Sequence, residues 1–192
     1  MEINRDIYLN RLIMRKQNGF IKVITGIRRC GKSYLLNKIF YNYLLSESVD
    51  KNHIIRFAFD SADDLLLIDE DILDISEQNR KVDPRKFMKY LAGKIVDDEM
   101  YYLLLDEVQL LGNFEAVLNG YMRKDNLDIY VTGSNSKFLS SDILTEFEGR
   151  GDEIHVLPLS FSEFYSAYDG SKDEAFDDYI CLLYTSDAAD DK

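Results

Sequence analysis

The sequence predicts an α/β fold, a parallel sheet with helices on both faces. Three observations predict it. Short apolar, β-branched runs alternate along the chain with segments whose apolar residues recur at helical spacing, the pattern of successive βαβ units. One run, Tyr101 to Leu105, is apolar at every position, as a central strand buried on both faces must be. A glycine-bounded loop lies directly between the first strand-like run and the helix that follows it.

The elements follow in order. Residues 1–17 read as a helix with an imperfect apolar face (Ile3, Ile7, Leu9, Leu12, Ile13, Met14), stopped by Asn18-Gly19. Residues 20–25, Phe-Ile-Lys-Val-Ile-Thr, read as the first strand. Leu35, Leu36, Ile39, Phe40, Tyr43 and Leu44 then mark a long helix. Residues 53–59 alternate and read as the second strand. Residues 60–82 are acidic and irregular, expected as a loop with one short helix. Asp83 caps a helix whose first residue is Pro84, with Phe87, Met88, Leu91 and Ile95 as its buried stripe. Strand three is 101–105, a helix covers 114–122, and strand four is 127–131. Residues 138–147 are mixed loop and helix, and strand five is 153–157. Ser160 caps a last helix through Tyr168. Sequential parallel strands need right-handed crossovers.

Composition narrows the classes. The chain has 192 residues, 46% of them hydrophobic, and 2 prolines, enough for one folded domain with a sizeable core. There are 35 acidic against 23 basic residues, net charge −12, with much of the excess in 60–74 and 172–191. An acidic domain is a poor general binder of nucleic acid, which needs a basic face. No stretch has the uncharged apolar length of a membrane span. Met1-Glu-Ile-Asn-Arg has no apolar signal core, and Cys30 and Cys181 form neither a disulfide framework nor a zinc pattern. These features place the chain in the cytoplasm, with reduced thiols.

The chemistry is concentrated in residues 26–33, Gly-Ile-Arg-Arg-Cys-Gly-Lys-Ser, the full form of a phosphate-binding loop between strand and helix. Gly26 and Gly31 permit backbone angles and close approach that a Cβ would block. Loop N–H groups can then point at phosphate oxygens, and the helix N-terminus adds its dipole. Lys32 carries charge to the β- and γ-phosphates, and Ser33 offers a hydroxyl to Mg²⁺. The nucleotide-contact set is Gly26, Ile27, Arg28, Arg29, Cys30, Gly31, Lys32, Ser33 and Tyr34. Arg28 and Arg29 read equally as phosphate contacts or solvated loop residues. Positive neighbours and a helix N-terminus would lower the Cys30 thiol pKa, but the simpler reading is a small residue filling the loop.

A second cluster closes strand three. Asp106-Glu107 after Leu103-Leu-Leu has the place and form of a Walker B pair. Asp106 would hold Mg²⁺ with Ser33, and Glu107 would orient or activate the attacking water. Strand four ends in Thr132-Gly-Ser-Asn-Ser136, where Ser134 or Asn135 is a candidate sensor of the γ-phosphate. With strand four between the loop strand and the Walker B strand, the sheet order is 5-1-4-3-2. Arg150 is a candidate for stabilising transferred-phosphoryl charge, in this subunit or a neighbour. Gln109 reads as a solvated helix residue, and Asp60 as a weaker site candidate.

Together these segments resemble one family of AAA+-like ATPases of bacteria and archaea. The resemblance lies in residues 26–36, 105–109, 130–136, 147–150 and 157–164, which occur in that family's order and span most of 1–179. It implies a P-loop NTPase three-layer sandwich of the AAA+-like type, ATP rather than GTP, and Mg²⁺. It raises the weight on Asn135 and Arg150, and implies a further C-terminal domain. Separately, an arginine acting between subunits would make the partner a homo-oligomer or another protein that supplies an arginine. Residues 181–192, Cys-Leu-Leu-Tyr-Thr-Ser-Asp-Ala-Ala-Asp-Asp-Lys, instead look like a translated sequencing adapter. Residues 1–179 are therefore expected to be a truncated ATPase domain and 180–192 a non-native tail. The functional expectation is Mg²⁺-dependent ATP hydrolysis, with a slowly hydrolysing nucleotide switch or scaffold as the alternative. A small-molecule kinase would need a basic lid, which 60–74 does not supply. A DNA motor would need a basic stripe.

Overall fold

A computed structural model describes residues 3–77, 81–133, 147 and 149–187. Strands β1 (Ile21–Thr25), β2 (Ile54–Ala58), β3 (Tyr101–Asp106), β4 (Leu127–Thr132) and β5 (Gly151–His155) form one sheet. Its order is β2-β3-β4-β1-β5, the expected 5-1-4-3-2, and every neighbouring pair is parallel. Both β1 and β3 are buried at every position. Alternate residues feed two cores, one on each face. Val23, Phe57, Leu103, Leu105 and Val131 pack on one side, and Ile24, Ile54, Leu104 and Tyr130 on the other.

Helix α1 (Asp6–Met14) is shorter than residues 1–17. It buries Tyr8 and Leu12, while Ile7 and Met14 of the expected apolar face are 63% and 82% exposed. The helix ends because Gln17 takes a left-handed φ of 57° and its N–H turns to Asp128 at 2.9 Å. Helix α2 starts at Lys32–Tyr34, passes through a π-helical stretch Leu35–Phe40 and closes with Tyr41–Ser46. Leu35, Leu36, Phe40 and Leu44 face the core, as their spacing predicts.

Two short helices, α3 (Ala62–Leu66) and α4 (Ile72–Glu77), replace the single helix expected in 60–82. Ser61 caps the first by accepting from the Asp64 N–H. Helix α5 (Pro84–Lys94) has the Asp83 cap and the first-position proline that its sequence predicts. It buries Phe87 and Leu91, but Met88 is 44% exposed. Helix α6 spans Phe114–Tyr121.

Strand β5 begins two residues earlier than the apolar run at 153–157, because Gly151 and Asp152 already pair with Ile21 and Lys22. The ladder with β1 draws in residues of low strand propensity. Helix α7 (Phe161–Ser166) opens on a full capping box between Ser160 and Glu163. Helix α8 (Lys172–Asp187) runs through residue 180, where the tail was expected to begin. Among the described residues no helix is long and apolar enough to cross a membrane.

At the amino edge of the sheet Lys22 and Asp128 form a buried ion pair, 0% and 2% exposed. Burial lowers the Lys22 pKa, opposed by the Asp128 charge. Asp128 also accepts from the Tyr130 hydroxyl at 2.9 Å and from the Gln17 N–H. Burial, with Asp128 adding to it, pushes the Tyr130 phenol far above its usual value. This network ties the exit of α1 to β1 and β4.

Candidate nucleotide-binding site

All five strands point their carboxyl ends the same way, so the loops after β1, β3 and β4 converge at one edge. Gly26 follows β1 with φ 143°, and a Cβ there would stand 2.3 Å from the Val156 carbonyl oxygen and 2.8 Å from Cys30 Sγ. Glycine is required at that position. Gly31 has φ 93° and opens α2. Lys32 is buried, and its Nζ donates to the Gly26 and Ile27 carbonyls at 2.9 Å each. Ile27, Arg28 and Arg29 are exposed, with Arg29 in a left-handed conformation of φ 63°. Tyr34 is half-buried in the first turn of α2, under the Lys38 ammonium at 5.1 Å.

Cys30 is buried under the loop. Burial pushes its thiol pKa up, and the nearby Lys32 and Arg5 charges only partly oppose this. The loop-filling reading therefore holds, not the reactive thiol.

Asp106 lies at the centre, 4% exposed. Its Oδ1 accepts from Ser33 Oγ at 3.0 Å and from Thr132 Oγ1. Its Oδ2 accepts from Asn37 Nδ2 at 3.0 Å. Burial raises the Asp106 pKa, the Thr132 and Ser33 hydrogen bonds lower it, Glu107 raises it and Lys32 lowers it. Asp60 is drawn to the same place. Burial first, and then the charge of Asp106, raises its pKa. The serine and the carboxylate, hard oxygen donors side by side, suit Mg²⁺, which needs few protein ligands when phosphates supply the rest. No group of three His, Cys, Asp or Glu side chains among the described residues forms an all-protein metal cage.

Glu107 takes a left-handed φ of 53°. Its N–H donates to Thr132 Oγ1 at 3.1 Å, and its Oε2 accepts from Gln109 Nε2. Gln109, expected to be solvated, is 7% exposed. It sits in a 3₁₀ turn, Val108–Leu110, that folds it back beside Glu107. Its own Oε1 is buried with no hydrogen-bond partner among the described residues.

The remaining sensor and arginine candidates stand differently. Ser134 and Asn135 lie outside the described residues. Thr132, the last residue of β4, bridges Asp106 and Glu107 instead, and was legible only as part of a polar strand end. Arg150 is not brought to the loop. Its carbonyl accepts from the Ile21 N–H at 2.9 Å, at the start of β1. The loop follows the far end of that strand, roughly 15 Å away at 3.3 Å per residue. An arginine side chain does not span that distance within one subunit.

One buried residue escaped the sequence reading. Arg5 is 4% exposed. It donates to the Cys30 carbonyl at 2.7 Å, the Leu157 carbonyl at 2.8 Å and Glu163 Oε1 at 2.9 Å. Its guanidinium lies 4.5 Å from the Tyr8 ring centroid. It clamps the phosphate loop to the segment after β5. A lone arginine ahead of an amphipathic helix carries no sequence signal for this role.

Comparison with known proteins agrees with this geometry. A protein of Haemophilus influenzae, described as uncharacterized, is 34% identical over 166 residues, covering 86% of this chain and 38% of that protein. One of Methanocaldococcus jannaschii, also described as uncharacterized, is 32% identical over 166 residues, covering 84% of this chain and 31% of the relative. The chain thus spans well under half the length of either. Among solved structures, the Aeropyrum pernix ORC1 protein in complex with DNA matches with TM-score 0.51 at 12% identity, over 86% of this chain and 48% of that one. Cdc6p of Pyrobaculum aerophilum matches with TM-score 0.50 at 13% identity, over 85% and 48%. These two likenesses are likenesses of fold. Residues 18–165 match the family described as AAA domain. With the phosphate loop, the acidic pair and the 5-1-4-3-2 sheet in place, the chain belongs to this AAA+-like ATPase family.

Proposed function

We propose that the chain binds ATP together with Mg²⁺ and hydrolyses it. The observation that carries this reading is the 3.0 Å contact between Ser33 Oγ and Asp106 Oδ1 beside the phosphate loop. The loop amides and Lys32 bind the phosphates. Lys32 exchanges the two loop carbonyls for β- and γ-phosphate oxygens. Ser33 and Asp106 hold Mg²⁺, which supplies neutralisation of charge on the β- and γ-phosphates. Glu107 orients the attacking water and takes its proton. Thr132 keeps Asp106 and Glu107 in register. Asn135 is proposed as the γ-phosphate sensor. Arg150 is proposed to act in trans, on the phosphates held by a neighbouring copy.

Two observations favour a second reading, a nucleotide switch with slow intrinsic turnover. Glu107 is already engaged by Gln109, and Arg150 stands at the opposite edge of the sheet. Phosphate release from Mg²⁺-ATP by the whole chain, beside Lys32→Ala and Glu107→Gln, separates the readings. Turnover lost in both variants, with Glu107→Gln still binding ATP, is expected of the hydrolase. Binding without wild-type turnover establishes the switch. Absence of binding overturns both.

A further inference from the structure

Among the described residues strand β2 ends the sheet, with β3 on one side and no strand on the other. The register decides which of its backbone groups face outwards. The Phe59 N–H donates to the Asp106 carbonyl on the β3 side. By alternation Ile55 and Phe57 also face β3, and Ile54, Arg56 and Ala58 face away. Ala58 is closed off, since its N–H donates to Asp64 Oδ2 at 2.8 Å and its carbonyl accepts from the Ser61 N–H at 3.1 Å. The Ile54 N–H turns to the Lys51 carbonyl. That leaves the Ile54 carbonyl and the Arg56 N–H and carbonyl, which no hydrogen bond among the described residues reaches. They form a short open ladder, an acceptor, a donor and an acceptor.

This edge forms the floor of a groove of about 540 Å³ lined by Asn37, Lys51, Arg56, Asp64, Tyr90 and Lys94. Lys51, Arg56 and Lys94 are exposed. The single acid, Asp64, is held by the Ala58 N–H. The cations flank the strand from both sides. Arg56 stacks 4.0 Å from the Tyr41 ring centroid on the α2 side, and Lys94 lies 5.5 Å from the Tyr90 ring on α5. In a chain of net charge −12 this is a local reversal of sign.

We propose that the β2 edge groove binds an extended acidic peptide segment of a partner protein as an added strand. Its backbone completes the open ladder, and carboxylates on successive residues, which point to opposite faces, meet Arg56 on one face and Lys94 on the other, with Lys51 at one end. A nucleic acid fits less well. Its phosphates cannot use alternating strand donors and acceptors, and a long polyanion meets the acidic surface beyond the groove. A short peptide responds only to charges within about 10 Å. The groove and the phosphate site share Asn37, whose carbonyl accepts from Arg56 at 3.4 Å while its amide holds Asp106.

The test is fluorescence anisotropy of a labelled short peptide of repeating Glu-Glu-Val-Val, which places carboxylates on both faces of a strand, titrated with the whole chain at low ionic strength. Saturable binding is expected. A Lys51→Glu/Lys94→Glu variant, both sites exposed and its folding checked by circular dichroism, is expected to weaken it about tenfold or more. A peptide of the same charge with proline in place of every valine is expected to lose as much, because adjacent prolines remove N–H donors from both edges of the strand. Absence of saturable binding overturns the proposal and leaves the cations as guards of an open edge. Binding blind to the charge reversal overturns it too. So does equal binding of the proline peptide or of oligothymidylate, which would make the groove a general anion patch.

Discussion

Glu107 and Asp106 are adjacent in sequence and opposite in environment. Glu107 is half-buried and paired with Gln109. Replacing it by Gln removes a proton acceptor at little cost in shape. Turnover is expected to fall about 100-fold or more, with ATP affinity by calorimetry nearly unchanged. Asp106 is buried, and its pKa is raised. A carboxyl with a higher pKa in the folded state than in the unfolded one binds its proton more readily when folded. Its contribution to stability is therefore lost as pH rises from the ordinary aspartate value through the raised one. Asp106→Asn is accordingly expected to melt above the wild type at neutral pH, the gap closing as pH falls. The same variant is expected to lose stabilisation by Mg²⁺-ATP, so thermal melts with and without ligand read both effects. The buried, pKa-raised Cys30 thiol and the exposed Cys181 give a third test. A thiol reagent at mildly alkaline pH is expected to modify Cys181 alone in the folded chain, and both once it is unfolded.

The short connections decide where the chemistry sits. Gly26 cannot carry a side chain, because a Cβ would meet the backbone carbonyl of Val156 rather than a movable group. Gly26→Ala is expected to abolish ATP binding in an equilibrium titration, even where circular dichroism shows the sheet retained. Ser160 makes a reciprocal cap with Glu163, and Glu163 also holds Arg5. Ser160→Ala is expected to cost about 1 kcal/mol in urea unfolding. Burial raises the Glu163 pKa, but its hydrogen bonds to Ser160 and the Arg5 charge outweigh this and leave it below the usual glutamate value. The α7 cap thus shares its acid with the clamp on the phosphate loop.

At the scale of the whole molecule the two edges of the sheet divide the work. The carboxyl edge gathers Ser33, Asp106, Glu107 and Thr132. The amino edge carries Lys22–Asp128 and the start of β5. Asp128→Ala leaves a buried, unpaired lysine and is expected to cost about 3–5 kcal/mol. Lys22→Met with Asp128→Asn is expected to recover part of that loss in urea unfolding, because no uncompensated charge remains.

The sequence by itself determined the strand and helix alternation, the phosphate loop, the Asp106–Glu107 pair and the caps at Asp83 and Ser160. Each depends on residues within a few positions of one another, where backbone sterics and periodicity act directly. The strand order was legible for a related reason, since the polar end of strand four can serve the same ligand as the phosphate loop and the carboxylate pair when it lies between their strands. Only the tertiary structure decided the rest. It turned Gln109 inwards, made Thr132 the bridge between the Asp106 carboxylate and the Glu107 backbone N–H, and set Arg150 at the wrong edge to reach its own loop. It also buried Arg5 against Cys30 and Leu157, and Lys22 against Asp128. These placements depend on which segments distant in the chain come to share one environment. Burial then makes each polar group find a partner, and the choice of partner is written in no local pattern.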